Sequence, residues 1–464
     1  MSDYLYWSAS KIANEIRLGK VSSLEIVKAC FDRIDKVNPK INAVVQLVRE
    51  RAISEAIALD RLTAKGQFKG ALHGVPISIK DSLDTEGIIS TGGTMGRKHF
   101  IPAVDAPVVA RLRAAGAVLI AKTNTPELTL SAETNNLIYG RTNNPFDLDR
   151  SPGGSSGGSA ATIAVGGSFL ELGSDTGGSI REPAHLCGIT GIKPTAGRTP
   201  RTGHIVPYGG GALDSLTQIG PMARYVDDLA LTLPIICGPD NADPSCVPVP
   251  VNSPDKIDLS QLRIAYYTDN GVVEACSDIT RVVSEVASEI KKTGLNIKQH
   301  QFPGLKNLAQ LSKQLRESVG EGLILRLLER NGTTEHGPDL DGYFISGSDH
   351  SNERLDPYLL EQIDEAKSQA LQFMANYDAI LCPPAKEIAR PHRASHRDVF
   401  DDWSYMMMQN LLGWPGVTVR AGTSLENDLP VGIQIFAAPW REDVVLALAK
   451  KVELLFGGFK RPNI

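Results

Sequence analysis

The chain has 464 residues, of which 42% are hydrophobic and 22% charged, and carries a net charge of −5 at neutral pH. That is the balance of a soluble folded protein long enough for one large domain or two to three ordinary ones. No block of like charge offers a face for nucleic acid or an anionic membrane surface, no apolar run of about 18 residues offers a spanning helix, and the glycines show no collagen-like period.

In chain order, residues 8–19 and 23–36 have helical apolar spacing, with Ser22 and Ser23 available as caps. Short apolar runs at 75–79, 117–121 and 169–172 sit among glycine-rich turns, as buried strands of an α/β sheet do. A helix pattern from Ala106 to Ala115, closed by Gly116, precedes the second of them. Residues 238–260 are rich in Pro, Asp and Asn and read as a long loop or seam. Beyond it, a strand at 262–267, a helix face marked by Ile279, Val282, Val283, Val286 and Ile290, and a strand at 295–302 make a βαβ unit. Residues 305–375 look mostly helical, a cap or insertion, and strands return at 379–382, 417–419 and 431–436. The reading from pattern alone is α/β, without internal repeats.

The six cysteines (Cys30, Cys187, Cys237, Cys246, Cys276 and Cys382) are scattered without a CxxC pair, which suits reduced thiols in a cytoplasmic protein. The first residues, Met1 to Trp7, lack the basic start and apolar core of a secretory leader. Histidines never fall at metal-ligand spacing, so neither a metal nor another cofactor is expected.

Chemistry concentrates in two Gly/Ser clusters. The first, Ser151–Ala161, admits three readings. A phosphate loop would need the Lys that is missing after it. A Gly-x-Ser-x-Gly nucleophile elbow would need a strand before it, where 143–150 reads as a loop. A structural Gly/Ser loop opening a helix at 159–165 stays open. The second cluster, Asp175-Thr176-Gly177-Gly178-Ser179, is a tight turn directly after a strand. Its glycines leave backbone N–H groups unobstructed and able to converge on one point, as an oxyanion hole requires, with the Ser179 hydroxyl at the edge. A serine nucleophile needs a base. His73 and His185 lie near the motifs, but a lone histidine is more often a hydrogen-bonded structural residue.

With these clusters in view, the chain resembles the amidase signature family of serine hydrolases. The resemblance takes in Leu72–Asp81, Ala121–Glu127, Gly140–Pro145, Gly191–Thr195, Ile219–Arg224 and Leu429–Gln434, most of the chain from about 8 to 455. It implies a single α/β domain over 1–464 with a central mixed twisted sheet covered by helices and a catalytic core at about 65–235. It further implies Ser179 as the acyl-forming nucleophile, Ser155 as the bridging cis-serine and Lys80 as the base. The oxyanion amides would be those of Thr176, Gly177, Gly178 and Ser179, and Thr129 to Ser131 would line the acyl pocket.

The chemistry so implied is consistent with the residue types. Lys80 ends a buried-looking strand, and burial favours the neutral amine that a base must be. A strand-end lysine snorkelling to solvent or pairing with Asp81 is the plainer alternative. Asp175 and Arg181 would hold the nucleophile turn by hydrogen bonds. The Met406–Met408 run with Trp403 and Trp414 reads as core or as an apolar channel, core being commoner.

The expected substrate is a small amide, carbamate or ester, with no nucleic-acid or membrane partner, and a homodimer is open. The glutaminase-like component of the tRNA-dependent amidotransferase is the second enzymatic reading. Against it stand Glu182, where that component typically has Gln, and the stretch 200–215, which resembles stand-alone amidases. A non-catalytic binding protein on the same fold is the third.

Overall fold

The computed structural model describes residues 3–209, 211–344, 356–392 and 399–464. Its centre is an eleven-stranded mixed sheet, at whose strand ends the two Gly/Ser clusters and Lys80 lie. The strands are β1 (Val44–Leu47), β2 (Pro76–Lys80), β3 (Val118–Thr123), β4 (Leu170–Asp175), β5 (Thr190–Lys193), β6 (Gln218–Ala223), β7 (Arg263–Tyr266), β8 (Asn296–Gln299), β9 (Ala379–Cys382), β10 (Gly416–Thr423) and β11 (Pro430–Phe436). They lie in the order β1-β3-β2-β4-β6-β5-β10-β11-β9-β7-β8. The trio β3, β2, β4 is parallel, as is the trio β9, β7, β8, and the strands between them run antiparallel.

The expected βαβ unit is present. Helix α8 (Ser277–Lys292) joins β7 to β8, and Gly294 at φ +87° turns the chain back. This unit extends the same sheet, so the loop at 238–260 is a seam on the surface and does not divide the sheet. Helices α1 (Ala9–Arg17) and α2 (Ser23–Ile41) start on Ser8 and Ser22, whose hydroxyls accept the amides of Lys11 and Glu25. The expected end at 36 falls short by more than a turn. Val37 and Ile41 continue the buried face into a second apolar cluster with Ala161 and Val165, and the helix stops at Asn42 in the left-handed conformation.

The remaining helices are α3 (Arg49–Thr63), α4 (Pro107–Ala114), α5 (Gly157–Ala164), α6 (Arg181–Leu186), α7 (Val226–Ile236), α9 (Leu305–Arg330), α10 (Pro357–Met374), α11 (Val399–Leu412) and α12 (Glu442–Phe456). In the expected helical cap at 305–375, α9 and α10 are present, and 345–355 lies outside the described residues. Most of β2, β3, β4, β10 and β11 is apolar and fully buried, with α1, α2, α4, α7, α8 and α12 packed over it. At roughly 25 cal/mol per Å² of apolar surface, this burial is what holds the strand ends in place.

Candidate active site

Lys80 is the last residue of β2 and leaves the sheet on the face opposite the apolar Ile77 and Ile79. It is fully buried, and its Nζ donates to three serine hydroxyls: Ser155 Oγ at 2.7 Å, Ser156 Oγ at 2.9 Å and Ser174 Oγ at 3.0 Å. Burial drives its pKa well below the ordinary lysine value, against the pull of Asp175 and Glu171. The alternative pairing with Asp81 is absent. Asp81 instead accepts from Thr91 N and lies 3.9 Å from Lys122 Nζ.

The Ser155 loop is pressed against its neighbours so closely that only glycine fits. A Cβ on Gly154 would lie 2.3 Å from the Ser131 carbonyl, and one on Gly157 would lie 2.4 Å from Thr134 Oγ1. The Gly154–Ser155 peptide is cis. Thr134 Oγ1 donates to Gly153 O and accepts from Gly157 N, which locks the loop from both sides. The Gly/Ser cluster therefore opens α5 without a strand before it, so the elbow geometry does not arise.

Ser179 follows β4, and Ser156 N donates to its carbonyl at 3.1 Å, joining the two serine clusters. It is 8% exposed, where Lys80 and Ser155 are at 0% and 1%; of the three, only Ser179 presents an accessible edge. The turn before it is built on Asp175. This carboxylate accepts Gly178 N at 2.8 Å and Ile180 N at 3.2 Å, and takes a two-pronged ion pair from Arg181, Nε and Nη2 each at 2.9 Å. Burial alone would raise its pKa, but the Arg181 guanidinium and the Asn410 amide hold it far below the usual carboxylate range.

One of the four expected oxyanion donors is thus engaged elsewhere, since the Gly178 N–H is spent on Asp175. The amides of Gly177 and Ser179 find no acceptor among the described residues. Gly178 adopts φ +124°, and a Cβ there would meet Met406 Sδ at 2.4 Å.

The sequence reading missed the polar residues that anchor this turn from the far half of the chain. Arg181 Nη1 donates to Gln434 Oε1 at 2.6 Å and Gln409 Oε1 at 3.1 Å, and Nη2 to Asn410 Oδ1 at 2.6 Å. Asn410 also donates to Asp175 Oδ1 and to the Leu216 carbonyl. The adjacent polar pair Gln409-Asn410, set between the apolar runs Tyr405–Met408 and Leu411-Leu412, was the available signal. Of the methionine run, Met406 covers Gly178 and Met408 packs in an apolar cluster with Trp414, so these are cover and core.

His73 and His185 are structural. His73 binds Thr63 Oγ1 and Lys69 N, and His185 binds Gly432 N and the Glu387 carbonyl. A cavity of about 210 Å³ opens beside the turn, with Thr176 and Leu130 in its wall. Thr129 and Ser131 flank Leu130 but do not line it, and Thr129 sits at φ +62°.

The sequence profile of the amidase family matches residues 25–446. The chain belongs to the amidase signature family. Among relatives of this chain, the A component of glutamyl-tRNA(Gln) amidotransferase from Carboxydothermus hydrogenoformans is 34% identical over 97% of each chain. An acylamidase of Rhodococcus erythropolis is 33% identical over 97% of this chain and 95% of its own. A solved fatty acid amide hydrolase superposes with a TM-score of 0.86 at 27% identity, covering 98% of this chain and 85% of that one. The family's α/β architecture, one domain with a large mixed sheet under helices, is the architecture seen here. No helix among the described residues is long and apolar enough to cross a membrane.

Proposed function

We propose that the chain hydrolyses carboxylic amides to acid plus amine or ammonia through an acyl-serine on Ser179. The observation that carries this reading is the buried Lys80 amine within hydrogen-bond distance of Ser155 Oγ, in a loop bonded directly to the Ser179 backbone. A neutral Lys80 draws a proton through Ser155 as Ser179 Oγ attacks the carbonyl carbon. The carbonyl oxygen becomes an oxyanion facing the Gly177 and Ser179 amides, where preset donors stabilise developing charge. The C–N bond then breaks, and Ser155 hands the proton to the departing amine. Water attacks the acyl-serine by the same relay: its hydroxyl goes to the acyl carbon, its other proton passes through Ser155 to Ser179 Oγ as the ester C–O bond breaks, and the acid is released. Esters and carbamates, which leave more readily, follow the same route, and no step calls for a cofactor.

The amidotransferase component is the second reading, favoured by the 34% identity with the Carboxydothermus protein over nearly the whole chain. The two are separated by assaying the isolated chain on acyl p-nitroanilides, primary amides and glutamine. Turnover of simple amides without a partner supports the stand-alone amidase, and glutamine hydrolysis appearing only with added partner proteins would replace it. Silence toward both, with every preparation folded, would leave only the binding-protein reading.

A further inference from the structure

The cavity beside the nucleophile turn contains one residue whose identity nothing else in the fold explains. Helix α9 faces the cavity with Gly320, Leu323, Ile324 and Leu327, the i, i+3, i+4, i+7 stripe that a helix buries against a core. At Gly320 the stripe lacks a side chain. Glycine weakens a helix interior relative to alanine and is usually retained for a positive φ or a close contact. Neither applies here: Gly320 is absent from the positive-φ glycines, and a Cβ on it would meet no atom within 4 Å among the described residues. What glycine preserves at this position is empty volume inside the cavity.

Resting on the amidase reading above, we propose that Gly320 is a specificity-determining residue, and that the space over it admits an apolar acyl group of about eight carbons. The size follows from the 210 Å³ volume, since a cavity of roughly 150 Å³ accepts benzene's six carbons. The chemistry follows from the walls. Leu130, Val206, Leu213 and Leu216 complete the apolar lining. Five charged residues also reach the wall: Arg201 Nη1 bonds Asp214 Oδ1 at 3.0 Å and its Nε lies 3.5 Å from Asp243, Arg316 donates to the Thr176 carbonyl, Glu317 lies 4.0 Å from Lys313, and Glu321 follows Gly320 on the same helix.

The acyl side of the substrate is the occupant for a geometric reason. The leaving amine must sit against Ser155 to receive its proton, and none of residues 151–157 lines the cavity, whereas Thr176 at the opposite end of the turn does.

The test measures kcat/KM for acetyl, butyryl, hexanoyl and octanoyl p-nitroanilides, per active site titrated with an ethyl fluorophosphonate. Titration discounts any unfolded fraction. In the wild type the value should rise about fourfold per added methylene, the usual worth of burying one. In Gly320→Leu the octanoyl-to-acetyl ratio should fall about 250-fold, because four new carbons occupy the acyl volume at about fourfold each. Gly320→Ala meets no atom and favours the helix, so it carries the test even where leucine disturbs folding, with an expected fall of about fourfold.

An unchanged ratio in both variants, or a wild type indifferent to acyl length, overturns the proposal. So does a result in which both variants alter the dependence on amine length instead, measured with N-alkyl acetamides. A wild-type chain that the fluorophosphonate does not titrate removes the hydrolase reading itself, and this inference with it.

Discussion

Replacing Asp175 by Asn tests how the Ser179 turn is held. The substitution keeps the shape of the side chain but removes the charge that faces the fully buried Arg181 guanidinium. It also puts an amide NH2 where one carboxylate oxygen accepts. Oδ1 takes Gly178 N, Arg181 Nη2 and Asn410 Nδ2, and Oδ2 takes Ile180 N and Arg181 Nε, so either orientation sets donors against donors. Breaking a buried pair by removing one partner costs about 3–5 kcal/mol. That is a large part of the roughly 5–15 kcal/mol a folded domain has, yet leaves a protein that can be measured.

Two assays follow from this: denaturant unfolding, and the second-order rate of fluorophosphonate labelling by the folded protein. Labelling should drop on the order of 100-fold, the scale for losing a well-aimed oxyanion donor, because in either orientation one amide that fixes the turn, Gly178 N or Ile180 N, loses its acceptor and the Ser179 amide between them shifts. Arg181→Met should be similarly destabilising, and the double variant should lose at least about 1 kcal/mol less than the sum, as directly paired groups do. Asp175→Asn unfolding within about 0.5 kcal/mol of wild type and labelling at an unchanged rate would refute this account of the turn.

Three further outcomes can be measured. kcat/KM should increase with pH through a single ionisation lying well below 10.5, as Lys80 loses its proton, and a midpoint at or above 10.5 would show that Lys80 is not the base. Gly178→Ala should cost more in labelling rate than Gly209→Ala, since a Cβ at 178 meets Met406 while one at 209 meets nothing within 4 Å among the described residues; both have positive φ, so equal losses would trace the effect to backbone strain alone. Glu171 is buried, which pushes its pKa from 4.5 up to about 8, so the native state holds a proton that the unfolded chain has lost. Stability should therefore fall as pH rises from 4.5 to 8, by at most about 1.4 kcal/mol per pH unit, and Glu171→Gln should flatten that slope in denaturant titrations.

The sequence exposed the site more readily than the sheet that carries it. The glycine turns are legible because their residues answer to local demands, such as φ +124° at Gly178 and the 2.3 Å approach at Gly154. Strand β6 was invisible for the opposite reason. It lies in the middle of the sheet yet contains Gly220 and Pro221, residues that argue against a central strand, and its glycine is needed where the Ile192 carbonyl would stand 2.0 Å from a Cβ. Strands β1 (Val-Val-Gln-Leu) and β5 (Thr-Gly-Ile-Lys) are four residues without the unbroken apolar run that marks the equally short β9, Ala-Ile-Leu-Cys. The anchors Gln409, Asn410 and Gln434 lie more than 220 residues from Arg181, and they meet it only through the tertiary packing of α11 and β11 against the turn.

The central claim is that Lys80 activates Ser179 through Ser155, and peptide mapping of the fluorophosphonate adduct tests it most directly. The account predicts one modified residue, Ser179, in the wild-type chain and no modification in Lys80→Ala at the same exposure. An adduct on Ser155 or Ser156, or undiminished labelling of Ser179 in Lys80→Ala, would contradict it.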